Sequence, residues 1–406
     1  MSQTSLSPLP KGFEYRLDLR HHVTPRLLQK QPVHRWFWFP HSFSPQLVDE
    51  ILKVYPLPSN GSILDPFVGA GTTVLRASEL GYRAVGTDLL PLSVFVSEVK
   101  LSCLDRTSLQ EQLRYILDYT PLSELPPLPE RLSKACTAHE LAHLIALQQR
   151  INNLPRNAAW FFRLAWLRVL QQVSRAIPDG GWFRWIEKED QGESIARWFE
   201  QQSRLQIEDI TPRSGAPAHV FLDDARRLSQ VSGKFDLVIT SPPYPNRHDY
   251  SRIFHIELLS LGLGDEEIKK FRYTSIRSHV EAKQPDLRGC EYKMPYSLRT
   301  ALSSLPDKAD PRITTMLQGY FQDMWFTFTA LSSHLERGSV CAFVVGNVRH
   351  AGVMVSVDEI LVELANQAGF THERTWVIRL RGNSAQQMGR FGRELARESV
   401  VFLRKR

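Results

Sequence analysis

A chain of 406 residues, 42% apolar and 23% charged, has the balance of an ordinary globular protein and is long enough to bury a sizeable core. No run approaches the roughly 18 apolar residues of a membrane helix, and the opening MSQTSLSPLPKGFEYR lacks the apolar segment of a secretory leader, so a cytoplasmic protein with no membrane partner is expected. The formal charge of +7, from 50 Lys and Arg against 43 Asp and Glu, suits a polyanionic partner, although it also serves solubility alone.

In chain order, basic residues gather first near the N-terminus (Lys11, Arg16, Arg20, Arg26, Lys30, Arg35). Ser62-Ile63-Leu64 predicts a short buried strand, then a Gly-rich turn and a helix that Gly81 stops. Arg83 to Thr87 predicts the next strand and Pro91 to Leu104 a helix. The alternation then breaks. Ala135 to Ala176 is helical in pattern, with Trp160, Phe161, Leu164, Trp166, Leu167 and Leu170 on one broad apolar face. This block reads as a helical insertion that needs the main domain to cover it.

Strands resume at Ala218–Leu222 and Phe235–Thr240. A second, polar interruption follows, and then a helix from about Leu317 to Ser332, a strand Ser339–Val345 and a helix from Val357 to Ala368. Two last strands, Thr375–Leu380 and Ser399–Leu403, flank a loop from Arg381 to Arg397. Strands alternating with helices predict an α/β sheet of about seven strands. The expected division is 1–104, a cofactor half; 105–215, the insertion; 216–264, a catalytic half; 265–315, a variable region suited to target recognition; and 316–406, completing the sheet. Cys103, Cys136, Cys290 and Cys341 show no CxxC pairing, which predicts reduced thiols, and no metal is expected.

Three segments carry chemistry. In Asp65-Pro66-Phe67-Val68-Gly69-Ala70-Gly71-Thr72-Thr73, the glycines let backbone pass close to a ligand, and the following helix start offers free N–H groups. Neither the dinucleotide GxGxxG nor a Walker pattern is present. Asp88 ends the next strand, where an acid accepts from both ribose hydroxyls of a nucleoside, or simply caps a helix. Ser241-Pro242-Pro243-Tyr244 ends a buried strand, and two prolines cannot continue a sheet ladder. That stiff turn gathers a hydroxyl, a backbone carbonyl and an aromatic face, a set fitted to a flat base bearing an exocyclic amine.

Asp65–Thr73 and Ser241–Tyr244 resemble motifs I and IV of the S-adenosylmethionine-dependent amino-methyltransferases of DNA, and TSPPY is the version typical of the cytosine-N4 branch. His41-Ser42-Phe43-Ser44-Pro45 is similar to that family's motif X, which helps hold the methionine end of the cofactor. Asp224 resembles its motif III acid, which meets the adenine amine, and Asp223 fits the same role. The resemblance covers about 34 to 104 and 218 to 262, and loosely the last 70 residues. It departs at the helical block, where the family has only a short link.

The resemblance implies a doubly wound, mostly parallel seven-stranded sheet, the class I methyltransferase fold. It implies S-adenosylmethionine as cofactor, bound through Phe43, Asp65, Pro66, Phe67, Gly69, Gly71, Thr72, Thr73, Asp88 and Asp224. It also implies double-stranded DNA as substrate, in a restriction-modification or related defence setting with any nuclease in another chain. Adenine-N6 methylation, an RNA amine as target, and a catalytically silent DNA-binding subunit are the rival readings.

The residues fit that chemistry directly. Ser241 Oγ and the Pro242 carbonyl are suited to accept from both N–H groups of a conjugated amine and so free its lone pair. Pro243 keeps the turn rigid, and Tyr244 stacks on the base for roughly 1–3 kcal/mol. A base inside a duplex must be flipped out first. Asn246, Arg247 and Arg252 follow the pocket and are candidates to hold the flipped nucleotide's phosphates; a solvated loop with Asp249 paired to Arg252 is the plainer reading. Arg381, Asn383 and Gln386 are side-chain types that read base edges. Trp36, Phe37, Trp38 and Phe39 are expected to pack beneath the cofactor turn.

Overall fold

In the computed structural model, which describes residues 8–40, 42–179, 182–211, 215–283, 291–382 and 385–406, the apolar runs pair into one eight-stranded sheet. Its strands are β1 (Phe13–Tyr15), β2 (Ser62–Asp65), β3 (Arg83–Asp88), β6 (Ala218–Leu222), β7 (Phe235–Thr240), β8 (Leu335–Gly346), β11 (Phe370–Gly382) and β12 (Leu395–Lys405). Two hairpins stand outside it: β4 (Ala176–Asp179) with β5 (Trp182–Trp185), and β9 (Val348–His350) with β10 (Val353–Val355).

The sheet order is β1-β11-β12-β8-β7-β2-β3-β6. From β2 the chain winds outward through β3 to β6, then returns to β7 on the other side of β2 and winds out through β8. All these pairs are parallel, while β12 inserts antiparallel between β8 and β11. The order reverses between β2 and β7, and in such sheets the crevice past the strand C-termini at that reversal is where ligands bind. This is the doubly wound α/β methyltransferase fold. All seven expected strands are present, and β1 adds an eighth, parallel to β11 with Phe13 opposite Thr375.

The continuous apolar runs are explained by burial on both faces. Ile63, Leu237, Ile239, Ala342 and Val344 face one side, against Leu47, Val48 and Ile51 of the helix α1 (Pro45–Val54) and Val74 of α2 (Thr72–Glu79). Alternate residues Leu64, Val238, Cys341, Phe343 and Val345 face the other, against the helices Pro311–Ser333 and Val357–Gln367.

The insertion is built from the helices Arg106–Leu117, Glu130–Ala135, Ala138–Asn152, Arg156–Val173 and Gly192–Asp209 with the β4–β5 hairpin. Its core is continuous with that of the main domain: Phe161, Leu164, Leu167 and Leu170 share a cluster with Trp36, Phe37, Phe39, Ala70 and Phe95. Asp209 locks the two together, accepting from Trp36 Nε1 at 3.0 Å, Val33 N at 3.1 Å and the Arg35 guanidinium at 2.6 Å. The N-terminal aromatics thus pack partly beneath the turn and partly against the insertion.

The segment expected to be a polar interruption holds two helices, Asp265–Thr274 and Tyr296–Ser303. The next helix starts at Pro311, earlier than expected, because Asp310 caps it by accepting from Arg312 N at 3.0 Å and proline is tolerated in a first turn. The loop expected from Arg381 is shorter: β11 runs to Gly382, and a helix Ala385–Phe391 precedes β12. No described helix is long and apolar enough to cross a membrane.

Candidate active site

The loops at the C-terminal ends of β2, β3, β6 and β7 enclose a cleft of about 1240 Å³, counted out to its open mouth. It brings together Phe43, Asp65, Pro66, Phe67, Gly69, Thr72, Asp88, Asp223, Asp224, Ser241, Pro242, Pro243, Tyr244 and Asn246. Residues far apart in sequence therefore share one chamber at the sheet's reversal point.

The turn after β2 is built around two glycines in the left-handed region, Gly69 at φ 50° and Gly71 at φ 81°. A Cβ on Gly71 would meet Ser97 Oγ at 2.8 Å, so no larger residue fits there. Asp65 is buried; it accepts from Thr240 Oγ1 at 2.6 Å and Phe67 N at 3.1 Å, and burial pushes it up to about 6 against those bonds. Thr73 donates to the Ile239 carbonyl at 3.2 Å, tying α2 to β7. Asp65 and Thr73 thus hold the turn, while Phe67, Gly69 and Thr72 line the cleft.

Asp88 ends β3 at the cleft wall and accepts from Gly69 N at 3.0 Å and Leu90 N at 2.9 Å. Burial raises its pKa, and these N–H groups oppose the rise. Ser93 and the Leu89 backbone also hydrogen-bond to this carboxylate, and Asp88 lines the cleft. Asp224 accepts from the Arg226 guanidinium at 2.7 Å, and Asp223 is committed to Asp224 N, Ser229 Oγ and Gln230 N. Both still line the cleft. These carboxylate acceptors, the glycine turn and the apolar walls fit a nucleoside bearing an amino-acid tail.

Beneath the turn lies a residue the sequence did not single out. Lys100, on the helix α3 (Pro91–Leu101), is buried and donates to the Ala70 carbonyl at 2.9 Å and the His34 carbonyl at 3.2 Å. Burial lowers its pKa from 10.5 to about 7. A depressed folded value gives stability that is present above the unfolded pKa and lost as pH falls through the folded one, by about 1.4 kcal/mol for each pH unit between the two. Lys100→Met should therefore flatten the fall in Tm of the native protein between pH 10 and pH 7. Parallel melting profiles for the two proteins would contradict this.

On the β7 side, Ser241 Oγ donates to the Val344 carbonyl at 3.1 Å. Its single proton is engaged there, which leaves its lone pairs as acceptors. The Tyr244 hydroxyl donates to Glu398 at 3.4 Å, and burial raises its pKa. Phe39 stacks on Tyr250 at 5.7 Å and 21°, extending the aromatic wall. Phe271, Ser275, Ile276, Ser278 and His279 also line the cleft. They come from the helix Asp265–Thr274 and the segment after it, none of which the sequence placed at the pocket.

The expected nucleic-acid contacts divide. Arg247 is exposed at 43%, with Asp310 3.7 Å away, and holds a left-handed φ of 74°. Asn246 lines the cleft and accepts from His248 N at 3.2 Å. Arg252 is committed internally, paired with Glu281 and Asp249 and lying 4.5 Å over the Trp182 ring. Arg381 sits in a strand with its guanidinium 5.6 Å over the Tyr244 ring. Asn383 and the Gln386 side chain, like His41, lie outside the described residues.

A DNA methylase family model, covering N6- and N4-methyltransferases, matches residues 18–92. The chain is 25% identical to the Type II methyltransferase M.BsoBI of Geobacillus stearothermophilus, across 93% of this chain and 86% of that one. It is 29% identical to the Type II methyltransferase M.AvaI of Anabaena variabilis, across 93% and 87%. A solved S-adenosylmethionine-dependent methyltransferase of Methanosarcina mazei overlaps at 10% identity with a TM-score of 0.32, covering 87% of this chain and 96% of that one, too little to add to the sheet order. Two relatives aligned over most of their length and a DNA methylase model on residues 18–92 point to one family. The chain is similar to the S-adenosylmethionine-dependent amino-methyltransferases of DNA, through its cofactor-turn segment and through relatives aligned over most of its length.

Proposed function

We propose that the protein methylates the exocyclic N4 amine of a flipped-out cytosine in a specific duplex DNA sequence, as the protective half of a Type II restriction-modification system. The observation that carries this reading is Ser241 at the end of β7, with its proton engaged by the Val344 carbonyl and its lone pairs left to accept. S-adenosylmethionine, when bound, supplies an electrophilic methyl on sulfonium. The protein's own task is to hold the amine so that nitrogen's lone pair is available and in line.

Ser241 Oγ and the Pro242 carbonyl accept from the amine's two N–H groups, which draws its lone pair out of conjugation with the ring. Tyr244 stacks on the base, and its hydroxyl is tethered through Glu398. No nucleophilic cysteine is required: Cys341 and Cys136 are buried with their pKa values pushed up, and neither lines the cleft. Asp88 and Asp224 hold the nucleoside of the cofactor, and the Gly69–Gly71 turn admits its tail. Segment 265–283, of which Phe271, Ser275, Ile276, Ser278 and His279 line the cleft, is the part of the variable region that would meet the target strand. Arg247, exposed beside the cleft residue Asn246, would meet phosphate.

Serine rather than an acid at position 241 favours cytosine over adenine. The Type II names of M.BsoBI and M.AvaI support the restriction setting, with the nuclease in a separate chain, in the cytoplasm where the host's DNA lies. Methylome sequencing of a host expressing the protein tests the whole reading. One modified cytosine position in one short recurring sequence is expected. Modified adenines, or no recurring sequence, would contradict it.

A further inference from the structure

We propose that the helical insertion carries a divalent transition-metal site of the zinc class, formed by His139, His143 and Glu193. One ligand atom from each of these three lies within 4.8 Å of the others. His139 and His143 are four residues apart on the helix Ala138–Asn152, so both rings leave the same face. Glu193 comes from the first turn of the helix Gly192–Asp209.

The outer contacts are those a metal-binding pair needs. Asp190 meets His139 Nδ1 at 2.8 Å. A carboxylate only accepts, so that nitrogen carries the proton and Nε2 keeps its lone pair. Nε2 lies 3.5 Å from Glu193 Oε1, close to the roughly 3.3 Å that separates nitrogen and oxygen ligands on one tetrahedral zinc ion. His143 is held through Nδ1 by the Tyr119 hydroxyl at 2.7 Å. Orienting each ring through its second nitrogen is how metal-binding histidines are fixed.

The surroundings are fitted closely as well. A Cβ on Gly192 would fall 2.4 Å from His139 Nδ1, so the second helix reaches the ring only because glycine stands there. Asp190 is also bonded to Thr137 Oγ1 and to Gly192 N, which joins the starts of the two helices on either side of the β4–β5 hairpin. Two imidazoles and one carboxylate favour zinc over magnesium or calcium, which prefer all-oxygen shells. A water would complete the coordination. The ion would act as a staple between the two helix starts, at a place the transfer chemistry does not use.

The test is titration of the chelator-treated full-length protein with Zn²⁺ and, separately, Co²⁺. We expect one saturable equivalent, the visible absorption of four-coordinate Co²⁺, and a Tm raised by a few degrees with Zn²⁺. His139 is 46% exposed, so the double variant His139→Gln/His143→Gln should fold, with circular dichroism and S-adenosylmethionine binding unchanged, and should lose the bound equivalent. Absence of saturable binding in the native protein, or equal binding in the double variant, would overturn the site.

Discussion

Ser241→Ala should cut methyl transfer by roughly 10²–10³-fold while S-adenosylmethionine binding stays within about twofold of the native value. The size follows from what preorganised hydrogen-bond partners of a reacting group contribute when removed one at a time, about 2.7–4 kcal/mol. Here the lost partner is an acceptor. Without Oγ, one N–H of the base amine has no fixed partner, and the nitrogen relaxes towards its planar, conjugated form. The change also leaves the Val344 carbonyl without its 3.1 Å donor, a stability loss of about 1 kcal/mol that thermal melting would reveal separately. Single-turnover rates with saturating cofactor and DNA isolate the chemical step. A rate within a few-fold of the native protein would remove Ser241 from the mechanism.

Asp88→Ala should weaken cofactor binding by about 10- to 100-fold, from the loss of charge-assisted hydrogen bonds worth about 1.5–3 kcal/mol together. Two routes lead to that loss. In the proposed function the carboxylate is the ribose partner, and it also pins the glycine turn through Gly69 N at 3.0 Å. Calorimetric titration reads the dissociation constant, and the transfer rate at saturating cofactor should stay near the native one. An unchanged dissociation constant would mean that Asp88 serves only as the cap of the turn before α3, through its bond from Leu90 N. Ser241 and Asp88 thus separate in kinetics: one variant loses rate, the other affinity.

What the sequence made legible is what is written locally. A buried strand, a glycine turn and a helix start occupy a dozen residues around Asp65, and a proline stop follows β7 directly, so both halves of the site announce themselves. The family resemblance rests on those same short segments. The edge strand β1 was not legible because its three residues carry no alternation long enough to show a period. It exists because the exposed edge of β11 offers it a ladder.

Long-range placement was hidden for a different reason. Phe271, Ile276 and His279 are held at the cleft in part by Asp323, fully buried on the helix Pro311–Ser333, which binds Arg277 at 2.6 Å and Arg226 at 3.3 Å. Through Arg226 the same cluster reaches Asp224, tying the variable segment to the cofactor side. No periodicity encodes such a link. Arg252 and Arg381 show the converse. Their residue type suits DNA, yet Arg252 is engaged with Glu281 and Asp249, and Arg381 lies over Tyr244. Lys100 was unreadable too, since a lysine between apolar residues on a helix is ordinarily a solvated one.

The most direct measurement is mass analysis of nucleosides from duplex DNA after incubation with the purified protein and isotopically labelled S-adenosylmethionine. Labelled N4-methyl-2′-deoxycytidine should accumulate with the native protein and be nearly absent with Ser241→Ala. Label found only in N6-methyl-2′-deoxyadenosine, or only in RNA when both nucleic acids are offered, would contradict cytosine-N4 transfer at this site.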